Sequence, residues 1–144
     1  MNNLPAPDAP SVDTEVSTLP SEMMSFGTFK PVGHVLVGIP ADVSALRLER
    51  ALQAVGFDSG LVWITPRESA EELQALIDDA SPLAGFGYEI TLMRRYVELS
   101  RSGYRWLLVK NDGNEQAQAV GDAARTAGAT LAVRYGRLVV EELI

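Results

Sequence analysis

An α+β domain is the fold class this sequence predicts, and three observations predict it. A strand, helix, strand order occurs twice, over residues 33–65 and again over 104–143. Two helical stretches, 69–80 and 88–102, lie between these units. The 144 residues are 47% hydrophobic, which is enough to build one core without disulfides or metal. The stretch 88–109, YEITLMRRYVELSRSGYRWLLV, joins the two halves: it reads as a helix that stops at Gly103 and passes directly into a strand.

Residues 1–32 hold five of the eight prolines and are rich in Ser, Thr, Asp and Glu without periodicity. Such a segment buries too little to offset the entropy of ordering and reads as a disordered tail ahead of a single domain over 33–144. Within it, residues 19–29, LPSEMMSFGTF, carry apolar side chains. Either Phe26 and Phe29 lie on the neighbouring domain, or the segment is a docking peptide for a protein partner.

HVLVGIP is a short β-branched run ended by Pro40, the length of a buried strand. Ala45, Leu48, Leu52 and Val55 then recur at helical spacing, with Asp42 as the expected N-cap and Gly56–Phe57 as the stop. LVWIT is a second strand, closed by Pro66. Ser69 with Glu72 forms a capping-box pattern expected to open a helix striped by Ala70, Leu73, Leu76, Ile77 and Ala80. SPLAGFG is a break. The next helix carries Leu92, Met93, Tyr96, Val97 and Leu99 as its stripe. YRWLLVK is the third strand, and Asp112 with Glu115 is expected to cap a last helix bearing Ala117, Val120, Ala124 and Ala127. TLAVRYGRLVVEEL is the final strand, with a bulge or turn at Gly136.

Two such units wrapped with right-handed crossovers place helices on one face of a four-stranded antiparallel sheet, the ferredoxin-like arrangement, with the middle helices as an insertion between the halves. A parallel doubly wound sheet ranks second, because no strand is followed by a glycine-rich phosphate loop.

The formal charge of -7 argues against general attraction to nucleic acid or anionic lipid. With no cysteine and a single histidine, His34, neither a thiolate nucleophile nor a histidine metal site is expected. The first residues lack a secretory pattern and no apolar run approaches the roughly 20 residues of a membrane span, so the expected location is the cytoplasm.

The pattern GFGYEITLMRRYVELSRSGYRWLLVKND, followed by GAT and RYGRLVVEEL, resembles the C-terminal half of the bacterial heat-inducible general stress proteins, with Tyr96 seven residues ahead of Gly103. HVLVGIP, Gly56–Phe57 and LVWITP are similar to their N-terminal half. The resemblance spans about residues 33–143. It departs in the middle, where the charged helix 69–80 replaces that family's long glycine-rich apolar segment. It implies a fold and a link to stress, and it brings no active site, cofactor or metal.

Gly85 and Gly87 begin a GxG that lacks its third glycine. Glu71, Glu72, Asp78, Asp79, Glu141 and Glu142 read as solvated carboxylates, and His34 has no acid, nucleophile or metal partner in view. The one basic and aromatic concentration is Tyr88, Arg94, Arg95, Tyr96, Arg101, Tyr104, Arg105 and Trp106. These could bind a phosphate-bearing ligand, or they could be core aromatics beside surface arginines.

No catalytic residue is assigned. The functional expectation is a non-enzymatic, stress-associated or regulatory module working through protein association, chiefly with itself. Val62, Trp63, Ile64, Leu107 and Leu108 make both faces of their strands apolar, and a dimer would cover the face the helices leave bare. The alternative is a small-ligand-binding sensor using 88–106, and a third is a small enzyme with the sheet face as its pocket.

Overall fold

A computed structural model of the chain describes residues 14–16, 24–25, 28–79, 87–137 and 139–144. The elements run β1 (Thr14–Val16), β2 (Met24–Ser25), β3 (Thr28–Phe29), β4 (His34–Ile39), α1 (Ala45–Ala54), β5 (Leu61–Ile64), α2 (Pro66–Asp79), α3 (Tyr88–Arg101), β6 (Arg105–Lys110), α4 (Asn114–Thr126), β7 (Leu131–Tyr135) and β8 (Val140–Glu142). The fold is α+β.

Its main sheet has the order β1-β5-β6-β4-β7-β8. β4 is central and pairs antiparallel with β6 and β7, while β5 and β8 extend the two sides antiparallel. β1 joins β5 in parallel. The expected count of four strands is therefore corrected to six, by one addition at each edge. At one edge, Gly136 donates its N–H to Val139 O at 2.7 Å, closing a turn that folds VEE back onto β7 as β8. At the other, β1 comes from within residues 1–32, the stretch expected to carry no structure. The short β2–β3 ribbon falls in the same stretch, and Thr28–Phe29 runs beside α2 and α3. Most of the 19–29 segment, and the break with Gly85 at 80–86, lie outside the described residues.

Alternation along the strands sorts the core into two layers. Val35, Val37 and Ile39 of β4 face the side of α1 and α4, with Trp63, Leu107 and Val109, and meet Leu48, Leu52, Val120 and Ala124. Leu36, Ile64, Leu108 and Val133 face the other way, where Leu73 of α2 and Ile90, Met93, Tyr96 and Val97 of α3 cover them. Each such side chain contributes roughly 1.5–3 kcal/mol by burial. The expectation of helices on one face is thus corrected: the inserted helices cover the second face, so the apolar residues there need no dimer partner.

Local chemistry moves three helix starts from their expected places. Ser44, not Asp42, caps α1, its side chain accepting from Arg47 N at 3.2 Å. α2 begins at Pro66, whose fixed φ suits a first helical position, and Thr65 Oγ1 accepts from Glu68 N at 3.3 Å. Ser69 and Glu72 consequently lie inside that helix. Gly113 stands at the N-cap of α4 without a side-chain cap, and the Asp112 N–H is taken by Gln116 Oε1 at 2.9 Å.

The junction at Gly103 forms as expected. With φ at 99° it lets Tyr104 N reach Leu99 O at 3.1 Å and its own N–H reach Ser100 O at 3.0 Å, the paired bonds of a Schellman motif.

Candidate functional site

The eight basic and aromatic residues divide among four places. Tyr96 and Trp106 are core. Their rings lie 5.1 Å apart, and Tyr96 OH meets Tyr135 OH at 2.6 Å. Burial is the leading cause that pushes both tyrosine hydroxyls well above their ordinary pKa. Trp106 Nε1 donates to Ser100 Oγ at 2.7 Å, and Ser100 Oγ lies 2.7 Å from Ser69 Oγ. Ser69 Oγ in turn donates to the carbonyls of Thr65 and Pro66 at 3.0 Å each. An indole N–H only donates and a carbonyl only accepts, so with the one Ser69 hydroxyl proton shared by the two carbonyls, Ser100 donates to Ser69 and the bonds run from Trp106 to the first turn of α2.

Tyr88 and Arg95 converge at the other end of α3 on Glu142 of β8. Tyr88 OH donates to Oε2 at 2.9 Å and Arg95 Nη1 to Oε1 at 3.0 Å. Desolvation first, then the bond to Glu142, raises the pKa of Tyr88. Lys30 and Glu89 form a neighbouring ion pair at 3.5 Å. Glu142, expected to be merely solvated, is here the clamp between edge strand and helix. Glu141 beside it faces Arg134 at 3.8 Å.

Tyr104 and Arg105 belong to the opposite end of the sheet. The hydroxyl of Tyr104 lies 2.8 Å from Thr130 Oγ1, and its ring lies 5.9 Å from that of Trp106. The Arg105 guanidinium donates to the carbonyls of Ala41 and Val43, holding the loop ahead of α1.

Arg94 and Arg101 alone face an open space together. With Gln74, Ile77, Val97 and Glu98 they line a groove of about 390 Å³ between α2 and α3, where Arg101 Nη2 also reaches Gln74 Oε1 at 3.3 Å. The structure therefore pairs Tyr88 with Arg95, Tyr96 with Trp106, and Arg94 with Arg101, and does not gather the eight around one open site. His34 Nδ1 lies 3.1 Å from Val32 O. Among the described residues no group of three or more His, Cys, Asp or Glu is placed to hold a metal ion, and no helix is long and apolar enough to cross a membrane.

A different feature escaped the sequence. Between the outer faces of α1 and α4 runs an open groove of about 520 Å³, lined by Ala51, Ala54, Val55, Ala119, Ala123 and Thr126 with Asp122 at its rim. Its lining is chiefly apolar, and Val55 is 50% exposed. Val55, expected within the stripe of α1, is instead its exposed C-cap, and Ala119 and Ala123 lie beside the buried stripe of α4.

No family model, curated protein or solved structure matches the chain.

Proposed function

We propose that the chain is a non-enzymatic association module that pairs with a second copy of itself. The single observation carrying this reading is the α1/α4 groove, which is predominantly apolar and about 520 Å³ in volume. With both sheet faces covered, association moves from the sheet to the helices. The inner order β5-β6-β4-β7, with α1 and α4 on one side, supports a ferredoxin-like core extended at both edges. A role in stress rests on the resemblance in residue spacing. Sedimentation or light scattering across a concentration series tests the reading: the expected mass rises towards that of a dimer, and a monomer mass throughout refutes it.

A second reading, a sensor for a small phosphorylated ligand, is favoured by the shared groove of Arg94 and Arg101. A thermal-shift screen with phosphorylated metabolites should then show a rise in Tm that Arg94→Ala and Arg101→Ala abolish. Absence of any stabilisation across the screen removes it.

A further inference from the structure

We infer that the second copy seats with its α1 over α4 of the first, about a two-fold axis running along the groove. This rests on the self-association reading and specifies its surface. The occupant follows from the charges beside the groove. α1 presents Arg47 and Arg50 to solvent, while its one carboxylate, Glu49, is buried against Trp63. α4 presents Glu115 and Asp122, and its Arg125 folds back onto Asp122 at 3.2 Å and Leu143 O at 3.3 Å. The α1 wall thus presents two cations and no exposed carboxylate, and the α4 wall two carboxylates and one cation. A second copy offers the same two walls.

Symmetry then selects the arrangement. α1 and α4 run antiparallel, because each leaves one of two strands, β4 and β6, that are themselves antiparallel. Arg47 Nη2 reaches Thr126 O at 3.5 Å, so the start of α1 is level with the end of α4. One turn further along α1, Arg50 is level with Asp122 and Ala123. A two-fold axis along the groove preserves these levels and exchanges the walls. It sets Arg50 against Asp122 of the partner subunit, and the same pair forms again across the axis. The perpendicular two-fold instead sets α1 on α1, basic wall on basic wall. Ala51, Ala54, Ala119 and Ala123 let the helix pairs approach, and Val55 gains a cover. Arg50 makes no ion pair among the described residues, and at Asp122 it joins Arg125, 3.2 Å away on the same helix, as a second cation on that carboxylate.

The test uses the full chain and charge exchange, read by sedimentation over a concentration series. Arg50→Glu and Asp122→Lys each weaken dimerisation by about tenfold, since a reversal replaces two attractions with two repulsions. The combined variant returns to within about threefold of the native chain. Ala54→Glu, exposed in a monomer and buried in this dimer, abolishes association while the melting curve of the monomer stays that of a folded chain. A native chain that is monomeric at every concentration overturns the self-association reading itself. A native dimer that survives both charge reversals and Ala54→Glu leaves that reading standing and overturns this surface. Single reversals that dissociate without rescue in the combined variant overturn the arrangement about the axis.

Discussion

Trp63 Nε1 donates to Glu49 Oε2 at 2.7 Å inside the α1/α4 layer, with Glu49 fully enclosed. The bond fastens the middle of α1 to β5 and gives the indole N–H a carboxyl oxygen as acceptor in an apolar setting, where hydrogen bonds are electrostatically stronger than in water. Trp63→Phe should therefore cost about 2–4 kcal/mol, from lost packing and the lost bond together. Glu49→Gln keeps an acceptor and costs less. A double-mutant cycle in urea should show a coupling of about 1–2 kcal/mol, and additivity would remove the claim that the pair acts as one fastening.

Gly38 stands opposite Trp106 in the β4–β6 pairing, and a Cβ placed on it would lie 2.5 Å from Trp106 Cζ3. The bare backbone is the floor on which the indole lies. Gly38→Ala should destabilise by about 1–3 kcal/mol, as overpacked cores do. Replacing Trp106 by Leu in that background should shrink the effect of Gly38→Ala, because the obstructing ring is gone. An alanine variant as stable as the native chain would show that the ring moves freely.

Ser100 lies between Trp106 and Ser69 in the directed chain of hydrogen bonds. Ser100→Ala leaves a buried indole N–H without its acceptor and should cost about 1–3 kcal/mol. Ser69→Ala leaves the Trp106 bond in place and should cost less. Equal losses in urea midpoints, or a reversed order, would show that the Trp106 bond to Ser100 is not the costliest member of the chain to lose.

Alkaline pH offers a test of the tyrosine pair. Burial holds the pKa of Tyr96 and Tyr135 above the unfolded value of about 10. Both hydroxyls are neutral in either state below that pH, so their contribution is fully present there. Above it the unfolded chain loses protons that the folded chain keeps, and stability falls by up to about 1.4 kcal/mol per pH unit for each residue until the folded pKa is passed. Urea midpoints should hold steady up to about pH 10 and then drop, and Tyr135→Phe should lessen the slope. All four tyrosines ionising together near pH 10 in a folded sample, seen by absorbance, would rule this out.

The strands were legible because HVLVGI, LVWI and RWLLVK are unbroken apolar runs, the signature of strands buried on both faces. That same signature says two faces must be covered and is silent on what covers them. The answer lies in Leu73, Met93, Tyr96 and Val97, whose spacing gives helix stripes but does not say that those stripes form the missing layer. Helix starts slipped where one residue served two purposes: Pro66 ends β5 and also opens α2. The candidate site failed to gather because adjacency on one helix is not adjacency in space. Tyr96 turns inward while Arg94 turns out, and the partner that joins Tyr88 to Arg95 is Glu142, distant in the chain and plain in a charged terminus. The α1/α4 groove was hidden because alanine satisfies a core face and an exposed one equally well.

Ile64, where the chain leaves the sheet for α2, is the pairing partner of Trp106, just past the point where it returns from α3. The whole helical layer on that face is thus an excursion that departs and re-enters at one place, like a door on a single hinge. Opening it as a unit would leave α1, α4 and the strands between them threaded and would have to release the Glu142 bonds to Tyr88 and Arg95, so its amides should exchange with solvent sooner than those of β4. Each such opening bares Leu36, Leu108 and Val133 together, a sticky strip on a ready-made sheet. The hydroxyl relay from Trp106 to the first turn of α2 crosses beside that hinge, and serves as the latch.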